Sequence, residues 1–293
     1  MKKENPFEID FESYIREGEL DKKEKSIAWS IATGLQQVDV LTPSAYLYET
    51  AKRDIEGEIS IEEARKLVDS YYESKTARTE DNDDKEEADK VSARIVQILR
   101  DKTFDFSPAY YIHIHKKIFE DVFKFAGTIR DYNITKNEWI LNSDTVYYAD
   151  ADADADAYDI KEALDYVITK ERNFDYSNLS TEEAVKHLTR FTSDIWQIHP
   201  FGEGNTRTTA IFIIKYLRFL HFIENTEPFE KHSWYFRNAL VRANYDNFPK
   251  GIFKSFDYLE IFFRNVILNE NNELKNRYIH IDYSRLKQKK IIG

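Results

Sequence analysis

Apolar residues recur at helical spacing along most of the chain. From Ser180 to Ile198, positions Ala184, Leu188, Phe191 and Ile195 mark one face, and Ser180-Thr181-Glu182-Glu183 supplies a capping sequence in front of them. The pattern predicts an amphipathic helix that ends just before His199. The next stretch, Thr206 to Leu220, is apolar on most faces and predicts a second, largely buried helix. Upstream, Thr42-Pro43 reads as a cap and first-turn proline for a helix that Gly57 closes, and Ser60-Ile61-Glu62-Glu63 caps another running to about Lys75. Two short β-rich runs, Ile134-Thr135-Lys136 and Val146-Tyr147-Tyr148, flank an Asn-Ser-Asp turn and read as a hairpin. The expected fold is mainly α with one short β-hairpin.

Composition narrows the setting. The 293 residues, 42% hydrophobic and 15% aromatic, are ample for a core. A net charge of -11 argues against broad nucleic-acid affinity, which depends on Lys and Arg neutralising phosphates, so the expected macromolecular partner is a protein. No apolar run approaches the ~20 residues of a membrane span, and Met1-Lys2-Lys3 lacks a following apolar stretch. The absence of cysteine excludes disulfides, Cys-ligated zinc and thiol catalysis, and suits the cytoplasm. The acidic segment Thr79 to Glu87 reads as a solvated linker. Asp150, Asp152, Asp154 and Asp156 alternate with alanine and read as solvated low complexity. His113 and His115, beside Lys116 and Lys117 and without a second ligand cluster, read as buried hydrogen-bonding histidines rather than zinc ligands, as does His187.

Between the two strongest helices, Ile198-His199-Pro200-Phe201-Gly202-Glu203-Gly204-Asn205-Thr206-Arg207 brings together a base, a carboxylate, a Gly-Asn turn and a guanidinium. The Gly202 to Asn205 loop delivers backbone N–H groups to a helix N-terminus, which binds phosphate through unpaired donors and its partial positive charge. Gly204 allows a tight approach, and Arg207 is placed to grip a phosphate oxygen. Glu203 would repel bound phosphates unless a cation lies between them, which suits Mg²⁺. His199 is the general-base candidate, since an imidazole near its reference pKa of ~6.5 accepts a hydroxyl proton at neutral pH.

This loop resembles the signature of the Fic family, H-P-F-x-[DE]-G-N-G-R-x-x-R, whose members mostly transfer AMP from ATP to a protein hydroxyl. The resemblance continues upstream in His115-Lys116-Lys117-Ile118-Phe119 and Phe125-Ala126-Gly127-Thr128-Ile129-Arg130. It implies a Fic-fold helical core, ATP and Mg²⁺, and a hairpin flap, Ile134-Thr135-Lys136, that aligns a target backbone by strand addition. It further implies that Gly202, Gly204, Asn205, Thr206 and Arg207 meet the nucleotide phosphates. Within His232 to Leu240, Tyr235 and Asn238 are the expected adenine neighbours, although an aromatic row at helical spacing also suits a core. Expected units are an N-terminal antitoxin-like segment (1–78), an acidic linker (79–90), a Fic core (91–225) and a C-terminal extension (226–293).

Two positions depart from the motif. Thr206 stands where the family has Gly, and Ala210 where AMP-transferring members have the Arg that holds the γ-phosphate. The Doc branch departs at the same positions, with Lys at the first, and transfers the γ-phosphate. Glu203-Gly204-Asn205 and the long flap resemble those of adenylyltransferases, so protein AMPylation of Ser, Thr or Tyr is the expected activity; the alternatives are Doc-like phosphoryl transfer or a non-catalytic nucleotide-binding module. Self-modification gains from high effective concentration, with none of 19 tyrosines singled out.

The run Leu41 to Ile59 resembles the small helical antitoxin that accompanies some Fic toxins, whose [ST]-x-x-x-E-[GN] Glu pairs with the second motif Arg. Ser13 to Gly18 satisfies that string with Glu17, but lies upstream of the expected helix. In the expected window only Gln37 and Asp39 stand in for the Glu, neither is expected to make the same clamp, and Ala210 offers it nothing to hold. The expectation is a chain free of the usual lock. Neither the target protein nor the oligomeric state is encoded legibly.

Overall fold

Capped helices build the N-terminal third. The structure, a computed structural model, describes residues 10–74, 83–148 and 160–283. Helices α1 (Phe11–Glu17) and α2 (Leu20–Gly34) are followed by a 3₁₀ turn, Leu35–Asp39, then α3 (Ala45–Glu56) and α4 (Ile61–Glu73). Gly57 ends α3 at φ 80°, and Ser60 and Glu63 form a reciprocal capping box on α4, both as the sequence predicts. The α3 cap is Ser44 rather than Thr42. Ser44 also binds the buried carboxylate of Asp89, through its backbone N–H at 2.8 Å and its hydroxyl. A tertiary partner thus moves the helix start by two residues.

Helix α5 (Asp83–Arg100) corrects the acidic linker expected over 79–90: from Asp83 onward that stretch is helical. Asp83, Asp84 and Glu86 sit in the first turn, where carboxylates favour the helix dipole. From Ala88 the helix is buried on nearly every face against α2 and α4, so packing outweighs the polar composition of its start. The low-complexity run at 150–156 lies outside the described residues.

Helix α6 (Pro108–Phe119) leads to the hairpin, β1 (Thr135–Glu138) and β2 (Asp144–Tyr147), antiparallel with Lys136 opposite Val146. Then come α7 (Ile160–Arg172), α8 (Thr181–Ile198), α9 (Asn205–Phe219), α10 (Glu227–Lys231), α11 (Ser233–Asn244), α12 (Asp257–Ile267) and α13 (Asn276–Ile279). Helix α9 is the buried axis: α6 and α8 pack on it, and α11 and α12 pack on α8. The Leu35–Asp39 turn wedges between α9 and α11. One hydrophobic core runs from Phe11 to Ile281, so the N-terminal helices are built into it rather than tethered beside it. No described helix is long and apolar enough to cross a membrane.

Candidate active site

The sequence stops α8 at Ile198, and His199 follows as its C-cap in the left-handed region, φ 46° and ψ 60°. That conformation is costly for a non-glycine residue and persists because its surroundings hold it. Arg130 donates from Nε to the His199 carbonyl at 2.7 Å, and its backbone N–H donates to the Pro200 carbonyl at 2.9 Å. The His199 ring is fixed as firmly. Nδ1 lies 2.7 Å from the Trp196 carbonyl, which only accepts, so Nδ1 carries the proton and Nε2 keeps its lone pair. Tyr148 stacks on the imidazole at 3.6 Å between ring centres, and Trp196 meets it edge-on at 4.6 Å. Burial, then the charge of Lys136, pushes the His199 pKa well below the ordinary imidazole value. The ring is neutral at neutral pH, the form a general base needs.

The loop that follows is braced from within. Asn205 closes a pair of hydrogen bonds on Phe201: Oδ1 accepts from its N–H at 3.0 Å and Nδ2 donates to its carbonyl at 2.7 Å. The Asn205 side chain therefore shapes the loop rather than facing outward. His115 supports the loop from below, accepting from the Gly127 N–H at Nδ1 and donating from Nε2 to the Glu203 carbonyl at 3.0 Å. Desolvation pushes its pKa down to about 4. This bears out its reading as a buried hydrogen-bonding histidine; His187, 2.6 Å from Glu171, is likewise a bonding histidine, whereas His113 is exposed. Gly204 has φ 76°, and a Cβ there would lie 2.2 Å from the Phe119 ring. Thr206 in place of the motif glycine has a partner: Trp196 Nε1 donates to its hydroxyl at 2.9 Å, tying the start of α9 to the end of α8.

Glu203 stands half-exposed at the cleft mouth, and the Lys136 ammonium of the flap rests 2.8 Å from its carboxylate. A lone carboxylate suits an ion that takes its remaining ligands from phosphates and water, and no cluster of three metal-ligating side chains occurs among the described residues. The cleft is lined by Asp39, Lys136, Tyr148, Trp196, His199, Glu203, Gly204, Asn205, Thr206 and Arg237, and encloses only about 10 Å³. That volume is on the scale of one water molecule. The Tyr148 hydroxyl is buried beside it with no hydrogen-bond partner among the described residues.

Arg207 lies behind this cleft, 1% exposed, and it is occupied. Nη1 donates to Gln36 Oε1 at 3.0 Å, Nη2 lies 2.6 Å from Glu87 and 2.9 Å from Asp39, and the guanidinium covers the Phe119 ring at 4.8 Å. Asp39 does not make the family's clamp on the second motif arginine, whose place Ala210 takes; it pairs instead with the first motif arginine. Gln37 is exposed; its neighbour Gln36 holds the contact. Glu17 ends α1 on the surface, with no contact to Arg207. Ala210 is fully buried, so nothing there offers a charge to hold.

Neither Tyr235 nor Asn238, the expected adenine neighbours, lines the cleft. Tyr235 donates to the Tyr258 carbonyl at 3.1 Å, and Asn238 donates to Asn276 Oδ1 at 2.7 Å, both inside the packing of α11 on α12 and α13. The helix turn presents Arg237 to the cleft instead. Its Nη1 and Nη2 pair with both oxygens of buried Glu138, at 2.6 and 2.9 Å. Ile134 precedes β1 half-buried, while Thr135 is exposed on the strand. Sequence reasoning missed Gln36, Glu87, Glu138 and Arg237. Only Glu138 carried a signal, two residues beyond Lys136 on the same strand face.

Residues 105–217 match the Fic/DOC family. A curated protein of Sinorhizobium fredii, named probable protein adenylyltransferase y4lH, is 28% identical over 152 residues, which cover 52% of this chain and 71% of that protein.

Proposed function

With a Fic/DOC-family domain at residues 105–217 as the premise, we propose that this chain is a protein adenylyltransferase that moves AMP from ATP to a hydroxyl side chain of a protein. One observation carries the reading most directly: a neutral His199, its proton fixed on Nδ1, beside the N-terminal N–H groups of α9. The target hydroxyl gives its proton to Nε2 as its oxygen bonds to the α-phosphorus. The bond from that phosphorus to the oxygen bridging the β-phosphate breaks, and pyrophosphate leaves with the electron pair. Backbone donors around Gly202 to Asn205 and the start of α9 are placed to meet the developing negative charge. Glu203 is the residue to hold Mg²⁺, which when bound would neutralise phosphate charge. Strand β1 pairs only with β2 among the described residues, so its outer edge is available to align a target backbone. The chain itself is one such target by proximity. A cytoplasmic setting belongs to the same reading, carried by the lack of cysteine.

The grip of Asp39, Gln36 and Glu87 on Arg207, with a cleft of about 10 Å³, further supports regulation of the site by the N-terminal helices. Nucleotide entry then requires the Leu35–Asp39 turn to give way. Incubation with Mg²⁺ and ATP labelled at the α- or γ-phosphate, in wild type and His199→Ala, tests the activity. His199-dependent α-label on protein is expected. Label from the γ-phosphate alone would make the chain a Doc-like kinase, and label unchanged in His199→Ala would remove His199 as the base.

A further inference from the structure

The charges that face the cleft do not suit a polyphosphate unless one more cation is counted. Asp39 and Glu203 contribute carboxylates, while Lys136 is drawn onto Glu203. Arg207 is shared by two carboxylates. Ala210, one turn further along α9, is buried and neutral. Arg237 is the remaining cation in the lining, and it differs from Lys136 in what carries it. Lys136 rides on the flap. Arg237 stands on α11, whose Phe236, Ala239 and Leu240 are fully buried in the core.

Its donors are arranged for a second partner. Glu138 takes one N–H from each terminal nitrogen, and a guanidinium has five, so three remain. Trp234 lies under the guanidinium at 5.1 Å and limits its swing. The side chain keeps 15% exposure, against 2% for Arg207. Resting on the nucleotide reading above, we infer that Arg237 is the fixed cation for the leaving-group phosphates of ATP, with Glu138 as the residue that positions it. A preorganised charge at the leaving group is most valuable as pyrophosphate departs. Because Glu138 belongs to β1, the strand that docks the target and the cation that meets the nucleotide are held by one ion pair.

Calorimetric titration with Mg-ATP and with AMP, in wild type and in an Asp39→Ala background that loosens the Arg207 clamp, tests this. Arg237→Gln is expected to weaken Mg-ATP at least ~10-fold, in proportion to one lost charge-assisted contact. AMP binding should change by less than about twofold, since AMP lacks the contacted phosphates. Arg237→Lys should restore part of the loss. Glu138→Gln keeps the size of the side chain but turns one of its two acceptors into a donor facing the guanidinium, so Arg237 loses its positioning and Mg-ATP should weaken while AMP is left alone; it stands as the second variant if Arg237→Gln does not fold. Equal loss of ATP and AMP in Arg237→Gln, or no loss of Mg-ATP binding in Glu138→Gln, would overturn the role of Arg237 and leave the adenylyltransferase reading intact. Failure of both wild type and Asp39→Ala to bind Mg-ATP would overturn the two together.

Discussion

Arg207 and Arg237 approach the same cleft, and each is paired with carboxylates from outside the signature loop. Their surroundings differ in ways that set what each can do. Arg207 is sealed, with Gln36, Asp39 and Glu87 converging on it from two N-terminal elements and an orphaned Nε behind. A phosphate reaching it must first displace these charge-assisted contacts, whose carboxylates keep partial exposure. Among the described residues Arg237 has a single carboxylate partner, which orients it while leaving donors to spare. One arginine is restrained and the other is presented. The difference shows that chemical type alone does not set a functional state: partners decide whether a charge is available.

Breaking the restraint should have the largest effect. Asp39→Asn combined with Glu87→Gln keeps the shapes around Arg207 and removes both charges. Hydrogen bonds to charged groups are each worth roughly 1.5–3 kcal/mol, so Mg-ATP affinity and self-labelling should rise by at least ~10-fold. Unchanged affinity would mean that Arg207 is merely a structural anchor. A smaller change separates the base from both arginines. Since the His199 pKa is lowered in the folded chain, its base form persists as pH falls, and the acid limb of kcat/KM should lie below the ordinary imidazole value of ~6.5. A limb at or above that value would contradict the buried, neutral ring.

The same sign governs stability. His115 has a folded pKa near 4, so below the unfolded value of ~6.5 the unfolded chain binds a proton that the folded chain refuses. Its contribution is complete above ~6.5 and declines as pH falls toward 4, which chemical denaturation at stepped pH would register. Thr206→Gly should then cost about 1 kcal/mol by removing the Trp196 hydrogen bond, with little loss of catalysis. Stability equal to wild type would show that the bond contributes nothing net. Glu17→Gly closes the series, with no change expected in activity, because Glu17 is far from the clamp in contact terms; a large gain would place the restraint in α1 instead of at Asp39.

Short-range order was legible in the chain. Ser180 and Glu183, Ser60 and Glu63, and the two β-rich runs all produced the expected caps and hairpin, because their determinants lie within a few residues. Where a distant partner intervened, expectation and outcome parted: Ser44 became a cap because Asp89 holds it, and the acidic run from Asp83 onward became the start of α5, a helix buried from Ala88. Tyr235 and Asn238 share a helix face that composition does not distinguish from a ligand-facing one, and packing against α12 and α13 put them inside.

The sequence by itself determined the chemistry of the loop from His199 to Arg207, since base, carboxylate, glycine turn and guanidinium are neighbours along nine residues and local geometry carries them together. Only the tertiary structure decided how those groups are held. Gln36 and Glu87 lie 171 and 120 residues from Arg207, and Glu138 lies 99 from Arg237. Ion pairs over such separations have no periodicity to betray them; they exist because one continuous core docks α2, α5, the flap and α11 around the N-terminus of α9.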